Sequence, residues 1–477
     1  MDVTAKVVTA LRWTAAARFL GQLISWAITI IVIRILTPAD YGLMAMAIVL
    51  MNLLYLINTI GLDSALIQKK DITEHMRRQV FGIVIFLNLA FFLGLFLGAP
   101  LIAAFFEEPA LIPVVRTLSV QFILYVFEVL PQTKLERELS FKNRSIVDLA
   151  TMVMGSVVTL GLALTGAGVW ALVYGHLVTV ATRMLGLNII APCLLWPSFS
   201  LQGMRENFAY GGFVAIDKTL WFIFAESDKF IGGKLLGKEL LGVYAVANHL
   251  AALPINKIAG LIIAVAFPAF SQVQSEPKKV RHYLLRAASI MSVVAFPVFF
   301  GMSSVAPELV ATLLGEKWTP AALPLLILGL VMPLRMISTL LPPVLWGVGR
   351  PGVSAGNFLI AAIVMPIAFF VGAQWGPAGM AMSWLLAYPF VFLISVWRTV
   401  TVTKLGLMEF LATMFRPTLA CAGMYAAVAA TRLFALNPAN GMLNLVILTL
   451  VGAATYTALL FLIHREGLRE AIALAKR

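Results

Sequence analysis

The sequence predicts an all-α, polytopic membrane protein, and three observations carry that reading. Of its 477 residues, 61% are hydrophobic. Only 12% are charged, about half the share found in an average soluble domain. The apolar runs also recur at the length of about 20 residues that a helix needs to cross the hydrocarbon. A transmembrane barrel would show short alternating segments instead, and unsatisfied backbone groups exclude any third spanning form.

Charged and Gly/Pro clusters divide the chain into about 14 spans. The first, near 12–34, follows Lys6 and Arg12 and shows no small-residue cleavage site, so it reads as a retained helix and not a signal peptide. "TPAD" separates it from the second span (41–62), and the basic "KKDITEHMRR" separates that from the third (80–106). "EEPA" precedes the fourth (111–131), "KLERELSFKNR" the fifth (146–165) and "GAG" the sixth (168–190). The seventh (211–231) and eighth (241–266) flank "GGKLLGKE", and "EPKKVRH" leads to the ninth (286–310). "GEKWTP", "GRPG" and "QWGP" introduce the tenth (321–346), eleventh (353–373) and twelfth (377–397). "NPANG" parts the thirteenth (416–435) from the fourteenth (443–463).

Basic residues in short loops stay on the cytoplasmic side. With the N-terminus inside, only Arg34, Lys234, Lys238, Lys317 and Arg432 fall in outer segments, while most others, Arg183 among them, fall in cytoplasmic ones. Both termini are therefore expected inside. A formal charge of +13 then follows from topology and anionic headgroups and requires no nucleic acid. Cys193 and Cys421 lie too far apart to suggest a metal site or a disulfide framework, and the histidines show no HExxH-type metal spacing.

One pattern repeats at a spacing of 200 residues. "RILTPADYGLMAMA" and "KLLGKELLGVYAVA" align Leu36 with Leu236, Gly42 with Gly242, Ala45 with Ala245 and Ala47 with Ala247. Six helices separate the copies, so both point the same way, as in a parallel transporter repeat with its substrate site between two lobes. The same register carries Arg18 onto Lys218.

Ionisable groups deep in a membrane cost about 2.5 to 3.5 kcal/mol each on insertion scales, so they face a cavity or one another. Arg18, Lys218, Lys257 and Arg335 are candidates to line a wet central cavity and hold an anionic headgroup, with phosphate the natural target. Asp217, Asp228, Glu128 and His176 are candidate ion-coupling or cavity groups. Pairing is the alternative for some charges: Glu226 stands three residues before Lys229, a helical neighbour spacing. Pro254, Pro297, Pro333, Pro366 and Pro389 fall inside spans of the second half, whereas Pro100, Pro113 and Pro131 fall near span ends in the first.

Two motif matches are set aside. "GGKLLGKE" nearly fits a P-loop, but Glu239 replaces the magnesium-binding hydroxyl. "GVSAG" fits GxSxG, yet it opens a membrane helix instead of a strand-turn-helix elbow. With no ATPase module or long catalytic loop, the chain reads as a secondary transporter and not an enzyme.

The stretches "RILTPADYGLMAMA", "GLDSALIQKKDIT", "LERELSFKNRSIVDL", "GAGVWALVYGHL", "DKFIGGKLLGKELLGVYAVANHLAALP" and "AFPAFSQVQ" together resemble the polysaccharide transporter family. This is the flippase type of bacterial exopolysaccharide and lipopolysaccharide assembly, within the multidrug/oligosaccharidyl-lipid/polysaccharide exporter superfamily. The resemblance implies two pseudo-symmetric six-helix lobes, 1–205 and 206–400, with 401–477 carrying helices 13 and 14 and a cytoplasmic tail. It also implies alternating access and a polyprenyl-pyrophosphate-linked oligosaccharide partner, moved from the inner to the outer leaflet of the bacterial inner membrane. Assembly proteins of the polysaccharide pathway would be further partners. Asp228 stands where many relatives carry an acidic residue before the "IG" of helix 7. No cofactor is expected beyond a coupling proton or sodium ion. A multidrug exporter would favour an acidic, aromatic cavity over this basic one. A polysaccharide polymerase or ligase would show a sizeable outer loop with paired acids, and a scaffold would not bury so many charges.

Overall fold

The computed structural model describes residues 21–22, 25–59, 73–138, 140–193, 195–200, 205–434 and 441–463, with side chains excepted at 58–59, 137, 141, 205–215, 256–265 and 434. Among the described residues all regular structure is helical. Among the described residues eight helical segments are long and apolar enough to cross a membrane, or nine if one bent pair is a single span. That number counts Pro351–Val402 once although it holds two helices. The chain forms two compact units: Met1–Thr219 with Gly237–Gly242, and Leu220–Leu236 with Val243–Arg477.

In the first unit, α1 (Ser25–Ile35) leads into α2 (Pro38–Thr59) through "TPAD". Thr37 and Asp40 cap each other: Thr37 N donates to Asp40 Oδ2 at 2.9 Å and Asp40 N donates to Thr37 Oγ1 at 3.3 Å. This is a capping box, with Pro38 at the first helical position where no donor is lost. Gly42 is required by a close approach, since a Cβ there would fall 1.7 Å from Lys238 O. A Cβ on Gly242 would fall 1.7 Å from Pro38 O. Each glycine thus meets the 200-residue counterpart of the other's neighbour, the reciprocity of an isologous contact.

Helix α3 (Glu74–Phe106) starts at Thr73, whose hydroxyl accepts from Met76 N at 3.2 Å. It ends at Glu107 in the left-handed region, φ 57, where Glu108 N closes back on Ala103 O. Next, α4 (Leu111–Val126) and α5 (Val129–Arg137) meet at a bend of 49°. Pro131 accounts for it. Its ring supplies no N–H to the carbonyl four residues earlier, Phe127 O, and Asn188 Nδ2 takes that oxygen at 2.8 Å. Pro131, expected near a span end, stands in the first turn of α5, which runs on to Arg137. The hairpin of α6 (Phe141–Leu164) and α7 (Val169–Ile190) follows, with α4 packed against α2, α3 and α7.

Helix α8 (Arg205–Gln272) is broken at Gly237, whose φ of 73 and ψ of 177 no helix tolerates. The second unit continues with α9 (Pro277–Ser304), α10 (Ala322–Ser338), α11 (Leu341–Gly347), α12 (Pro351–Gly372), α13 (Gly376–Val402), α14 (Leu407–Phe434) and α15 (Gly441–Ile463). Helix α9 packs against α10 and α14, α13 against α10 and α12, and α14 against α15. Its core holds Tyr244, Phe299, Trp318, Phe369, Trp384 and Phe410, all fully buried.

Candidate functional site

Each unit carries its own cluster of polar side chains inside apolar helices. In the first unit the bend between α4 and α5 places Glu128 in the interior, 4% exposed. Arg183 Nε of α7 donates to Glu128 Oε1 at 2.5 Å, Nη2 donates to Gln132 Oε1 at 3.2 Å, and Nη1 reaches Asp148 Oδ1 of α6 at 3.5 Å. The guanidinium fork is thus shared among three helical elements, a use that its rigid geometry suits. Glu128 Oε2 is buried and takes no hydrogen bond among the described residues. Seven residues earlier on both helices, His176 Nε2 and Gln121 Oε1 lie 2.6 Å apart. The two rungs share one sequence offset, as parallel helices produce. The Tyr55 and Tyr125 rings lie 4.9 Å apart.

Arg183 was counted with the cytoplasmic cations at the end of the 168–190 span. It lies inside α7, held there by Glu128 and Asp148. Lys238, assigned to an outer turn, forms an ion pair with Glu108 at 3.1 Å.

In the second unit Asp228 is wholly buried. Its Oδ1 accepts from Lys229 N at 2.7 Å. Its Oδ2 accepts from Tyr244 OH at 2.7 Å and from Asn248 Nδ2 at 3.4 Å. The break at Gly237 makes this possible by returning the second half of α8 beside the first. Tyr244 OH in turn accepts from Trp384 Nε1 at 2.9 Å. The Arg335 guanidinium carbon lies 4.0 Å from the centre of the Trp384 ring, a cation–π contact. Asp228, Tyr244, Trp384 and Arg335 therefore form one chain of contacts. Phe224, Phe369 and Tyr388 box the indole at ring distances of 5.2 to 5.6 Å. Among the described residues no cation stands within ion-pair distance of Asp228, because Lys229 Nζ is taken by Glu226 Oε2 at 2.6 Å.

Below Tyr388 lies a cavity of about 50 Å³ lined by Phe224, Ser338, Ser354, Asn357 and Tyr388, room for a few waters. Ser354 Oγ and Asn357 Oδ1 are buried without hydrogen-bond partners among the described residues, and water would satisfy both.

The remaining sequence candidates distribute as follows. Lys218 is half-buried with no ion pair among the described residues, and Asp217 beside it is half-buried. Arg18 and the Lys257 side chain lie outside the described residues. Among the described residues no three His, Cys, Asp or Glu converge as metal ligands. Sequence reasoning missed Arg183, Asp148, Tyr244, Asn248 and Trp384. Tyr244 and Asn248 carried a usable signal, since they put two polar groups four residues apart on one face of an apolar helix.

The model of a family described as "Polysaccharide biosynthesis protein" matches residues 31–323. The chain belongs to this family. It is 26% identical to the succinoglycan biosynthesis transport protein ExoT of Rhizobium meliloti, over 94% of this chain and 91% of that one. It is 26% identical to the teichuronic acid biosynthesis protein TuaB of Bacillus subtilis, over 76% of each. It is 24% identical to the lipopolysaccharide biosynthesis protein WzxC of Escherichia coli, over 81% and 79%. The fold is similar to that of a lipid II flippase MurJ, solved in an inward closed conformation, with a TM-score of 0.72 at 12% identity, covering 95% of this chain and 99% of that one. An inward-facing multidrug resistance MATE family transporter of the MOP superfamily superposes with a TM-score of 0.61 at 16% identity, covering 80% and 96%.

Proposed function

We propose that the protein is a flippase that moves a polyprenyl-pyrophosphate-linked oligosaccharide from the inner to the outer leaflet of the bacterial cytoplasmic membrane by alternating access, with both termini inside. The observation that carries this reading is the similarity over nearly the whole chain to a succinoglycan transport protein. Flipping breaks no covalent bond, so the work falls to binding groups and to groups that couple motion to an ion.

Arg18 and Lys218 hold the pyrophosphate, for which guanidinium and ammonium are matched donors. Asp228 is the coupling group. It is held by neutral donors with no ion-paired cation among the described residues, so a proton or a sodium ion neutralises it. That event reaches Arg335 through Tyr244 and Trp384. Glu128 already has its cation in Arg183, and it anchors the bend of its span.

The test is purified protein in liposomes that carry a labelled polyprenyl-pyrophosphate oligosaccharide, scored by access of an external probe with and without proton or sodium gradients. The label is expected to cross with the parent chain and to stay inside with Arg18→Glu. Parental rates with Arg18→Glu overturn the role of Arg18, and no crossing with the parent chain overturns the function.

A further inference from the structure

We propose that an apolar groove on the first unit holds the polyprenyl chain of the lipid carrier, an inference that rests on the flippase reading. The groove has a volume of about 480 Å³, inside the range of roughly 300–1,000 Å³ typical of ligand sites. Phe81, Ile85 and Leu89 of α3 form one wall, Ile123 and Phe127 the other, and Trp196 closes it.

Three features make it a built site and not a chance furrow between helices. The bend at Pro131 shapes its floor by turning Phe127 outward, 46% exposed, while Glu128 turns inward to Arg183. The segment after α7 is pinned across one end, where Ser198 N donates to Arg78 O at 2.8 Å, and its Trp196 ring is of the amphipathic kind that settles at a membrane interface. The α3 wall is also a single helical row at four-residue spacing, and its next member beyond Phe81 is the exposed Arg77.

An apolar row that ends in a guanidinium is the complement of a long apolar chain that ends in phosphate. Phe81, Phe127 and Trp196 bring three aromatic rings to the lining, and the unsaturated units of an isoprene chain offer them π surface that saturated methylenes lack. Positive-inside topology puts Arg77 at the cytoplasmic surface, the leaflet from which a flippase draws its substrate.

The experiment uses the full chain in phosphatidylcholine nanodiscs with a polyprenyl monophosphate that bears a diazirine on its hydrocarbon chain. Photolabel is expected on peptides that contain residues 81–89 and 123–127. Unlabelled polyprenyl monophosphate should displace it, and an equal excess of phosphatidylglycerol should not. Leu89→Trp, at an exposed position that accepts a larger ring, should weaken capture roughly tenfold, equivalent to about 1.4 kcal/mol. Arg77→Gln should weaken capture of the phosphate probe and leave capture of the matching polyprenol unchanged. Displacement by phosphatidylglycerol, or label spread evenly over the lipid-facing helices, overturns the proposal. Flipping assays on the same variants in liposomes separate the two readings. Parental flipping by Leu89→Trp with capture lost overturns the groove's part in transport and leaves the flippase standing, whereas no flipping by the parent chain refutes the flippase while labelling at the groove still stands.

Discussion

Glu128 in the first unit and Asp228 in the second are both carboxylates buried inside apolar helices, yet their surroundings differ in kind. Glu128 faces the fork of Arg183, which also reaches Asp148 and Gln132. Asp228 faces a phenol, an amide and a backbone N–H, and the nearest ammonium is engaged by Glu226. A charge pair fixed by geometry resists change. A carboxylate held by neutral donors keeps a place for an arriving cation, so the first cluster suits holding a shape and the second suits responding to an ion.

Four substitutions test that contrast, the first three ordered from the largest expected effect on stability to the smallest. Arg183→Ala leaves Glu128 buried and unpaired, a change that costs about 3–5 kcal/mol in fully buried pairs. Because the Arg183 side chain is 29% exposed, about 3 kcal/mol is expected, seen as a lower unfolding midpoint in detergent. If the double variant Glu128→Leu with Arg183→Met recovers most of that loss, the pair is structural; no loss with Arg183→Ala removes the contrast. Tyr244→Phe deletes a hydrogen bond to a carboxylate and should cost about 1.5–3 kcal/mol, together with a changed ion dependence of flipping. Arg335→Met removes the cation over Trp384 and should cost about 0.5–2 kcal/mol, with a shift in tryptophan emission. Asp228→Asn removes the negative charge with little change in side-chain volume, and flipping is expected to lose its response to ion gradients. An intact gradient response in Asp228→Asn assigns coupling elsewhere.

Much of this was legible in the sequence. Apolar run length and charge asymmetry gave a helical membrane protein, because hydrocarbon leaves the backbone few choices. The ion pair of Glu226 and Lys229 followed from helical spacing alone. The two glycine turns were found by register, and their reciprocal approach is seen at Gly42 and Gly242. The partners of Glu128 and Asp228 were not legible. Arg183 stands 55 residues from Glu128 and Trp384 stands 140 from Tyr244, and no local spacing joins them. Their meeting depends on a bend at Pro131 and a break at Gly237, which set directions that composition does not encode. Arg183 was read only as one of the basic residues that set orientation, and its pairing with Glu128 and Asp148 went unseen.

Trp384 has one further consequence. Its indole N–H is bonded at one end to the phenol that serves Asp228, and its ring face carries a guanidinium. Indole emission responds to local electric fields, so the protein holds its own optical gauge of events at that carboxylate. With ten tryptophans in the chain, the gauge is read as the difference between the parent and Trp384→Phe while sodium or pH is stepped, without attaching a dye.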